Sequence, residues 1–588
     1  MKQQWPKRPV IYEIDSWAWL NELSRNYGRP IKLGDIPKEV WDSIAELCID
    51  SVWLMGVWER SLESIRIVNE NASLQAVFQG SLPDYIPGEY AFSWDEIPGN
   101  DEGRLKEVLV KTYDIDWVKN AKIEKIDKDE AIKVSTAEKS LTLRLNDEKT
   151  EVELEIGNDR AIEFIAKMDN DKLNIYPADN VGSAYCVHRY LVDKMLGGPE
   201  GLAIAREQLA QRNLRLILDF VPNHVARDHP WTREHPEYFV QGTPEDLLRR
   251  PEAFFDVDGT VIANGRDPNY PPWPDVAQLN SFHPGLRQDI VQTLNSIANQ
   301  CDAIRCDMAM LLLNDIFEST WGVNAGVRLQ EEYWREVISR IRAEHPTFLF
   351  IAEAYWDEEW ELQQLGFDYC YDKTLYDRLV KGNAESILLH LTAGINYQDK
   401  LLRFIENHDE TRAAAIFSPQ KERAAALTVM TIPGAKLLYE GQLEGRKVRS
   451  SVFLARRPAE LDDRDLKEFY RKLLSAVKES GHCTGDWQLC GRYGWPDNNT
   501  YLNLVSWCWR QGKAGYLVVI NLSDVQSQGW IKLPWSDLIG DEWQLTDVLS
   551  DKVFIRRRDE MISSGLYVDL PGWGFHFLRI CPIDASLE

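Results

Sequence analysis

The sequence predicts an α/β fold: a (β/α)8 TIM barrel interrupted by an inserted β-rich segment and followed by a C-terminal all-β sandwich domain. Three observations predict it. From Val10 to about Ser480, short apolar strand-like runs alternate with amphipathic helical stretches. Counting gives eight such runs, each followed by a helix or by room for one, the number that closes a parallel barrel. Beyond about residue 485 strand-like runs continue with turn signals and no helices between them.

Taken in order, "VIYEIDSW" is the first strand, and "IPKEVWDSIAELCID" places Val40, Ile44, Leu47 and Cys48 at helical spacing. "SVWLMGVW" is the second, but its helix, "GLAIAREQLAQRN", arrives only after an interruption from about 62 to 181. Inside that interruption "AIKVSTAEKSLTLRLNDEKTEVELEIG" alternates apolar and polar residues with a period of two, so 104–176 reads as a β-rich insertion. "LRLILDFVPNH" is the third strand, and a long excursion at 226–283, rich in Pro, Asp and aromatics, follows it. "DAIRCDMAM", "TFLFIAEAYW", "FDYCYDK", "LLRFIENHDE" and "AKLLYEG" complete the eight. The barrel is thus assigned to 1–480. Segments such as "YLNLVSWCW" and "AGYLVVINL" assign the sandwich to 485–588.

Composition narrows the function. The chain has 588 residues, more than one core holds, so about two or three domains are expected. Asp and Glu number 93 against 67 Lys and Arg, a net charge of −26 that repels phosphate backbones and anionic membranes. Nine cysteines without CxxC or CxH spacing fit reduced thiols rather than a disulfide or zinc framework. No basic head with an apolar run opens the chain, and no stretch of about 18 apolar residues follows. The expectation is a soluble cytoplasmic protein. No Walker A or dinucleotide fingerprint lies between a strand and a helix, so no organic cofactor is implied.

The apolar run "FIAEAYW", Phe350 to Trp356, carries one carboxylate, Glu353, in its middle. Chemistry on a parallel barrel sits where strands end and loops begin. Three other strand ends also carry polar groups: Asp219, Asn223 and His224 in "DFVPNH", Arg305 and Asp307 in "IRCDMAM", and Asn407, His408 and Asp409 in "FIENHDE". Parallel strands bring all of these to one face. Cleaving a glycosidic bond with retention needs an ionised carboxylate and a protonated one beside it. Arg305, two residues from Asp307, is placed to keep that carboxylate ionised, while the apolar neighbours of Glu353 raise its pKa toward neutrality.

In that order, the four segments resemble the four signature regions of the α-amylase family of glycoside hydrolases, family 13, and "VAQLN" at Val276 to Asn280 resembles a fifth. The resemblance implies Asp307 as nucleophile, Glu353 as general acid and base, and Asp409 as the third carboxylate, holding sugar hydroxyls in the transition state. It makes His224 and His408 hydrogen-bonding partners of the same sugar and Arg305 the group that orients Asp307. Tyr185 in "SAYCVHRY" matches a tyrosine that stacks on the sugar, and Asp219 an inner structural aspartate. Asn223 matches a calcium ligand of many members; no other ligand is placed, and calcium stays open. Arg412 resembles an arginine by which exo-acting members grip a terminal glucose, with Asp179 the only aspartate near the partner position.

Departures shape the reading. Met310 and Leu311 stand where α-amylases usually have Lys and His, which argues against an endo-acting starch hydrolase, and Arg189 precedes Tyr190 where the family often has aspartate. Trp58, Trp273 and Trp356 are the aromatics singled out for sugar contact, and Cys306 is expected to point away from the site. The expected activity is that of a retaining α-glycosidase acting on small α-glucosides or short maltooligosaccharides. A transglycosylase or phosphorylase with the same intermediate is one alternative; a noncatalytic carbohydrate-binding barrel is another. The 104–176 insertion is expected to stand over the rim and narrow the site.

Overall fold

The computed structural model describes residues 4–583 apart from 86–89, 95–96, 114–115, 146–151, 157–158, 163–165, 170–171, 176–178, 481–484 and 512–513. Eight parallel strands close a barrel: β1 (Val10–Asp15), β2 (Ser51–Met55), β3 (Arg215–Phe220), β4 (Ala303–Cys306), β5 (Leu349–Ala352), β6 (Tyr369–Tyr371), β7 (Leu401–Arg403) and β8 (Ala435–Tyr439). Closure is direct, because β1 hydrogen-bonds to both β2 and β8.

Strand parity explains where each polar group goes. Ile11, Trp53, Ile217, Ala303, Ile351, Leu402 and Ala435 fill the barrel interior. Their strand neighbours Tyr12, Val52, Leu218, Ile304, Phe350, Leu401 and Leu438 pack outward with the helices. Side chains alternate with a period of two, so two residues beyond an interior position the next one also points inward. By that count Glu13 follows Ile11, Asp219 follows Ile217, Arg305 and Asp307 follow Ala303, and Glu353 follows Ile351. Slipping any strand by one residue would send its charge into the helical layer and an aliphatic chain into the pocket. Each misplaced aliphatic side chain would forfeit about 1.5–3 kcal/mol of burial. Cys306, buried with the outward set, lies on the side expected of it.

One helix departs from the sequence pattern. The segment before β2 is helical over Lys38–Glu46 and buries Trp41 and Ile44. Leu47 caps it and Cys48 adopts a φ of 60°, so the stripe expected through Leu47 and Cys48 stops a turn early.

The excursion after β2 begins with two helices, α1 (Leu62–Glu70) and α2 (Ala72–Ser81). Ser61 and Asn71 cap them, each side-chain oxygen accepting from a backbone N–H of the first turn. Farther along, five antiparallel strands between Lys122 and Ile162 form a sheet, and an apolar cluster from Trp94 to Leu143 packs against its first three strands. In the excursion after β3, His224–Ala226 pairs with Val276–Gln278, which returns Trp273 and Asp275 to the mouth of the barrel.

The C-terminal region stacks a six-stranded antiparallel sheet against a three-stranded one made of β9 (Gly491–Tyr493), β10 (Ser527–Lys532) and β11 (Leu566–Leu570). Leu504, Leu517, Ile531, Val568 and Ile580 lie in the shared core. Trp509 joins it to the barrel, its indole N–H donating to the Thr431 carbonyl at 2.7 Å. Among the described residues no helix is long and apolar enough to cross a membrane, and eight cysteines are free thiols.

Candidate active site

At the C-terminal ends of the barrel strands lies a cavity of about 570 Å³ whose lining includes Tyr185, His224, Asp307, Glu353 and Asp409. Arg305 is fully buried beneath it and touches two of the carboxylates: one guanidinium nitrogen donates to Asp307 Oδ1 at 2.6 Å and another lies 2.8 Å from Glu353 Oε2. Glu353 also accepts from the Met308 N–H at 2.5 Å and from the Tyr355 hydroxyl at 2.9 Å. Met308 takes a φ of 43°, unusual for a side-chain-bearing residue, and that turn aims its N–H at Glu353.

Asp409 is the third carboxylate and the most open, its side chain 44% exposed. His408 lies between acids, with Nδ1 against Glu13 and Nε2 2.9 Å from Asp409 Oδ2. The Tyr185 hydroxyl also meets His408 Nε2 at 2.7 Å, the two rings stacked at 5.4 Å. Trp273 leans on His224 at 5.2 Å. Asp219 lies deeper, accepting from the Trp53 indole at 3.2 Å and the Gly56 N–H at 2.8 Å. It is completely buried and outside the cavity lining, as suits a structural acceptor.

These surroundings separate the acids. Burial raises Glu353, Arg305 opposes, and the Asp307 and Asp409 charges add to the rise, leaving it at about 7. Burial leaves Asp307 above its ordinary value too, although Arg305 opposes the rise with both charge and a hydrogen bond. Burial alone would raise Asp409 as well; the charge and hydrogen bond of His408, with Arg305 and Arg449 farther off, hold it at about 2. His408 is pushed far above the usual imidazole range because Asp409 and Glu13 outweigh its burial. Burial lowers His224 to about 4, so its ring is neutral at pH 7.

Several expected residues lie elsewhere. Arg412 does not reach the cavity: it is fully buried, donates to Glu406 Oε1 at 2.8 Å and to the Glu440 carbonyl at 2.9 Å, and covers the Tyr439 ring at 4.0 Å. Glu406, six residues before it and buried with it, claims the guanidinium for the core. Asp179 pairs with Arg456 instead. Trp58 is buried with its indole on the Asp219 carbonyl, and Met310 and Leu311 are core residues rather than pocket residues. Trp356 is 40% exposed but lies outside the lining. The pocket wall contributed by the excursion after β2 consists of Ile67, Val68, Asn71, Ser73 and Leu74; among the described residues of 104–176 none lines the cavity.

Asn223 was the position open to calcium. Its Oδ1 accepts from Gln278 Nε2 at 2.9 Å and its Nδ2 lies 3.3 Å from both Gln278 Oε1 and His224 Nδ1. Two amides and an imidazole bonded to one another do not fit an ion that takes six to eight oxygens, usually with carboxylates among them. Among the described residues no cluster of three or more His, Cys, Asp and Glu could hold a metal.

Sequence reasoning missed Glu13, Tyr355, Tyr371 and Phe453. Glu13 carried a signal like that of Glu353, a carboxylate inside an apolar strand, which here also holds Asp15. Tyr371 accepts from Arg305 Nε at 3.3 Å, and Phe453 lines the cavity from a segment after β8 that pairs with the chain near Val181 and Ala184. No local pattern announces that last contact.

A model of the alpha-amylase catalytic domain matches residues 173–506. Over 251 residues the chain is 29% identical to an alpha-amylase, MalA, of Haloarcula japonica, covering 41% of this chain and 33% of that protein. Alpha-amylase 3 of Dictyoglomus thermophilum is 21% identical over 284 residues, 44% of this chain and 53% of the relative. The matches therefore span about a third to a half of these relatives. A noncanonic maltogenic alpha-amylase, AmyB, from Thermotoga neapolitana superposes over 98% of this chain and 99% of its own with a TM-score of 0.59 at 15% identity. The debranching enzyme of Nostoc punctiforme, from an acarbose-soaked crystal, does so over 98% and 99% with a TM-score of 0.55 at 16% identity. At such identity the solved structures speak for the fold; the family model covers more than half of the sequence, and the chain belongs to the alpha-amylase family of glycoside hydrolases, family 13.

Proposed function

We propose that the protein is a retaining α-glycosidase acting on small α-glucosides or short maltooligosaccharides. The observation that carries the reading is the shared arginine. Arg305 contacts Asp307 and Glu353 together, opposing the rise of Asp307 with charge and a hydrogen bond and that of Glu353 with charge. Glu353, raised to about 7, has a proton to give near neutral pH.

In the first step Glu353 protonates the glycosidic oxygen as Asp307 attacks the anomeric carbon, and the leaving sugar departs with the proton. A covalent glycosyl ester on Asp307 results. Glu353, now ionised, takes a proton from water as that water attacks the same carbon and frees Asp307. Two displacements restore the original configuration. Asp409, ionised throughout, accepts hydrogen bonds from sugar hydroxyls, and neutral His224 lines the wall beside the same ring. Tyr185, fixed by His408, presents its ring to the sugar face. A cavity of about 570 Å³ is the size of a small-ligand cleft, in keeping with short substrates.

The test is product analysis by mass spectrometry with maltotriose, isomaltose, trehalose, sucrose and glycogen, using Asp307→Asn as control, with the product anomer read by NMR. Expected are shorter sugars of retained α configuration, absent from the variant. Inverted product would overturn the double displacement. Longer oligosaccharides, or sugar phosphates when phosphate is present, would replace hydrolysis by transfer.

A further inference from the structure

Far from the pocket, the three-stranded sheet of the C-terminal region carries an unusual outer face. Register sets Tyr493 of β9 opposite Trp530 of β10, and Trp530 opposite Tyr567 of β11. The three rings form a row across three strands, with the Tyr493 and Trp530 planes 13° apart and Tyr567 5.4 Å from Trp530. Trp495 extends the group, 6.4 Å from Trp530 and 6.2 Å from Tyr567. The neighbours of these residues on the same strands, Ile531 and Val568, already form the core. Nothing in the sandwich requires aromatics on its solvent side, yet Tyr493, Trp495 and Tyr567 are 40%, 38% and 42% exposed.

The row opens into a groove of about 550 Å³. Besides Trp495, Trp530 and Tyr567 its lining holds exposed Ile555 and charges balanced in sign, Glu542 and Glu560 against Arg556 and Arg557, with Gln528 accepting from the Tyr567 hydroxyl at 2.8 Å. A groove without net charge does not select an anion or a cation. Flat π faces bordered by amide, carboxylate and guanidinium groups instead match a ligand with an apolar face and a hydroxylated edge, as a pyranose ring has. An ion pair between Arg492 of the neighbouring β9 and Glu385 of a barrel helix, 2.7 Å long, ties the platform to the barrel.

We propose that this face is a second carbohydrate-binding site, which takes a neutral α-glucan chain with successive rings lying along the aromatic row. The choice of α-glucan rests on the activity proposed above. The sheet geometry does not.

The test is affinity electrophoresis of the full chain in native gels with and without soluble starch, in an Asp307→Asn background that prevents turnover. Retardation by starch is expected, with the apparent Kd weakened about tenfold for each aromatic removed in Trp495→Ala and Tyr567→Ala. Tyr567→Phe, which keeps the ring, should retain it. In the otherwise native chain, both alanine variants should turn over maltotriose at the parental rate, which also reports intact folding. Turnover of maltotriose without starch retardation, or retardation indifferent to both alanines, overturns the surface site and leaves the pocket reading standing. Retardation lost in the alanine variants, without turnover by the native chain, supports the surface site while the pocket reading falls. A dimer that becomes a monomer in the variants, read by size exclusion, would make the occupant a second copy and overturn the proposal.

Discussion

Two of the buried arginines stand against carboxylates in different settings, Arg305 at the pocket and Arg412 sealed behind it, and they do opposite work. Arg305 shares itself between Asp307 and Glu353 beneath an open cavity, and Glu353 is left at about 7. Arg412 is closed in: it binds Glu406 and the Glu440 carbonyl, Glu406 also accepts from the Ala413 N–H at 2.6 Å, and Arg457 pairs with Glu440. Burial raises Glu406 too, but Arg412 and that N–H oppose it. A carboxylate with dedicated partners holds the fold; one that must share its partner is held ready to carry a proton.

The largest test of this contrast is Asp307→Asn. Loss of the proposed nucleophile should lower kcat by about 10⁵-fold, while the melting temperature stays near that of the wild type. Retained activity would show that the open cluster is not the reacting one. Next comes Arg412→Met, which breaks a buried pair and should cost about 3–5 kcal/mol in urea titrations. KM for maltotriose should move less than twofold in the folded variant. A large KM change with unaltered stability would return Arg412 to the substrate.

Glu353→Gln should act on stability in the other direction. Below its ordinary value of 4.5 the Glu353 carboxyl is protonated in folded and unfolded chains alike; between 4.5 and about 7 only the folded chain keeps the proton. Wild-type stability therefore falls as pH rises through that window. By pH 8 Glu353→Gln should be the more stable protein by about 3 kcal/mol, with no difference near pH 4. Equal stability at both pH values would remove the claim that the pocket holds a costly acid. The same group sets a limb of the pH–rate profile: kcat/KM should decline above about pH 7 in the wild type.

The smallest effect is expected of Tyr355→Phe. Its hydroxyl donates to Glu353, which favours the ionised form. Without it the declining limb should move to higher pH by roughly half a unit, the equivalent of about 0.7 kcal/mol. A shift to lower pH would mean that the hydroxyl accepts from the protonated acid instead.

Much of this was legible in the sequence because a strand has a period of two. The count put Cys306 outward between Arg305 and Asp307, while Asp219, Arg305, Asp307 and Glu353 were read as polar groups at the ends of apolar strands. Arg412 shows the limit: its spacing from Asp409 suggested a sugar ligand, but spacing does not say which carboxylate captures a guanidinium. Glu406, inside the quoted "FIENHDE", was the competitor. The pocket wall was hidden for a different reason. Ile67, Val68 and Leu74 meet Phe453 across nearly four hundred residues, and no local periodicity records a contact made between two excursions. Trp58 looked like a pocket aromatic because it lies just after β2, yet its indole found the Asp219 carbonyl inside.

That long-range wall has a consequence for how the chain completes its pocket. The segment carrying Phe453 is tied to the excursion after β2 by backbone hydrogen bonds from Val181 to Phe453 and from Ala184 to Val452, and by the Arg456–Asp179 pair, 277 residues apart in sequence. A growing chain that has reached Tyr439 already contains all three carboxylates and every barrel strand, but its cavity still lacks one side. Contacts of such separation form late, after the loop between them has been closed. In the finished chain the wall of the pocket is therefore closed by a segment that lies beyond the last barrel strand.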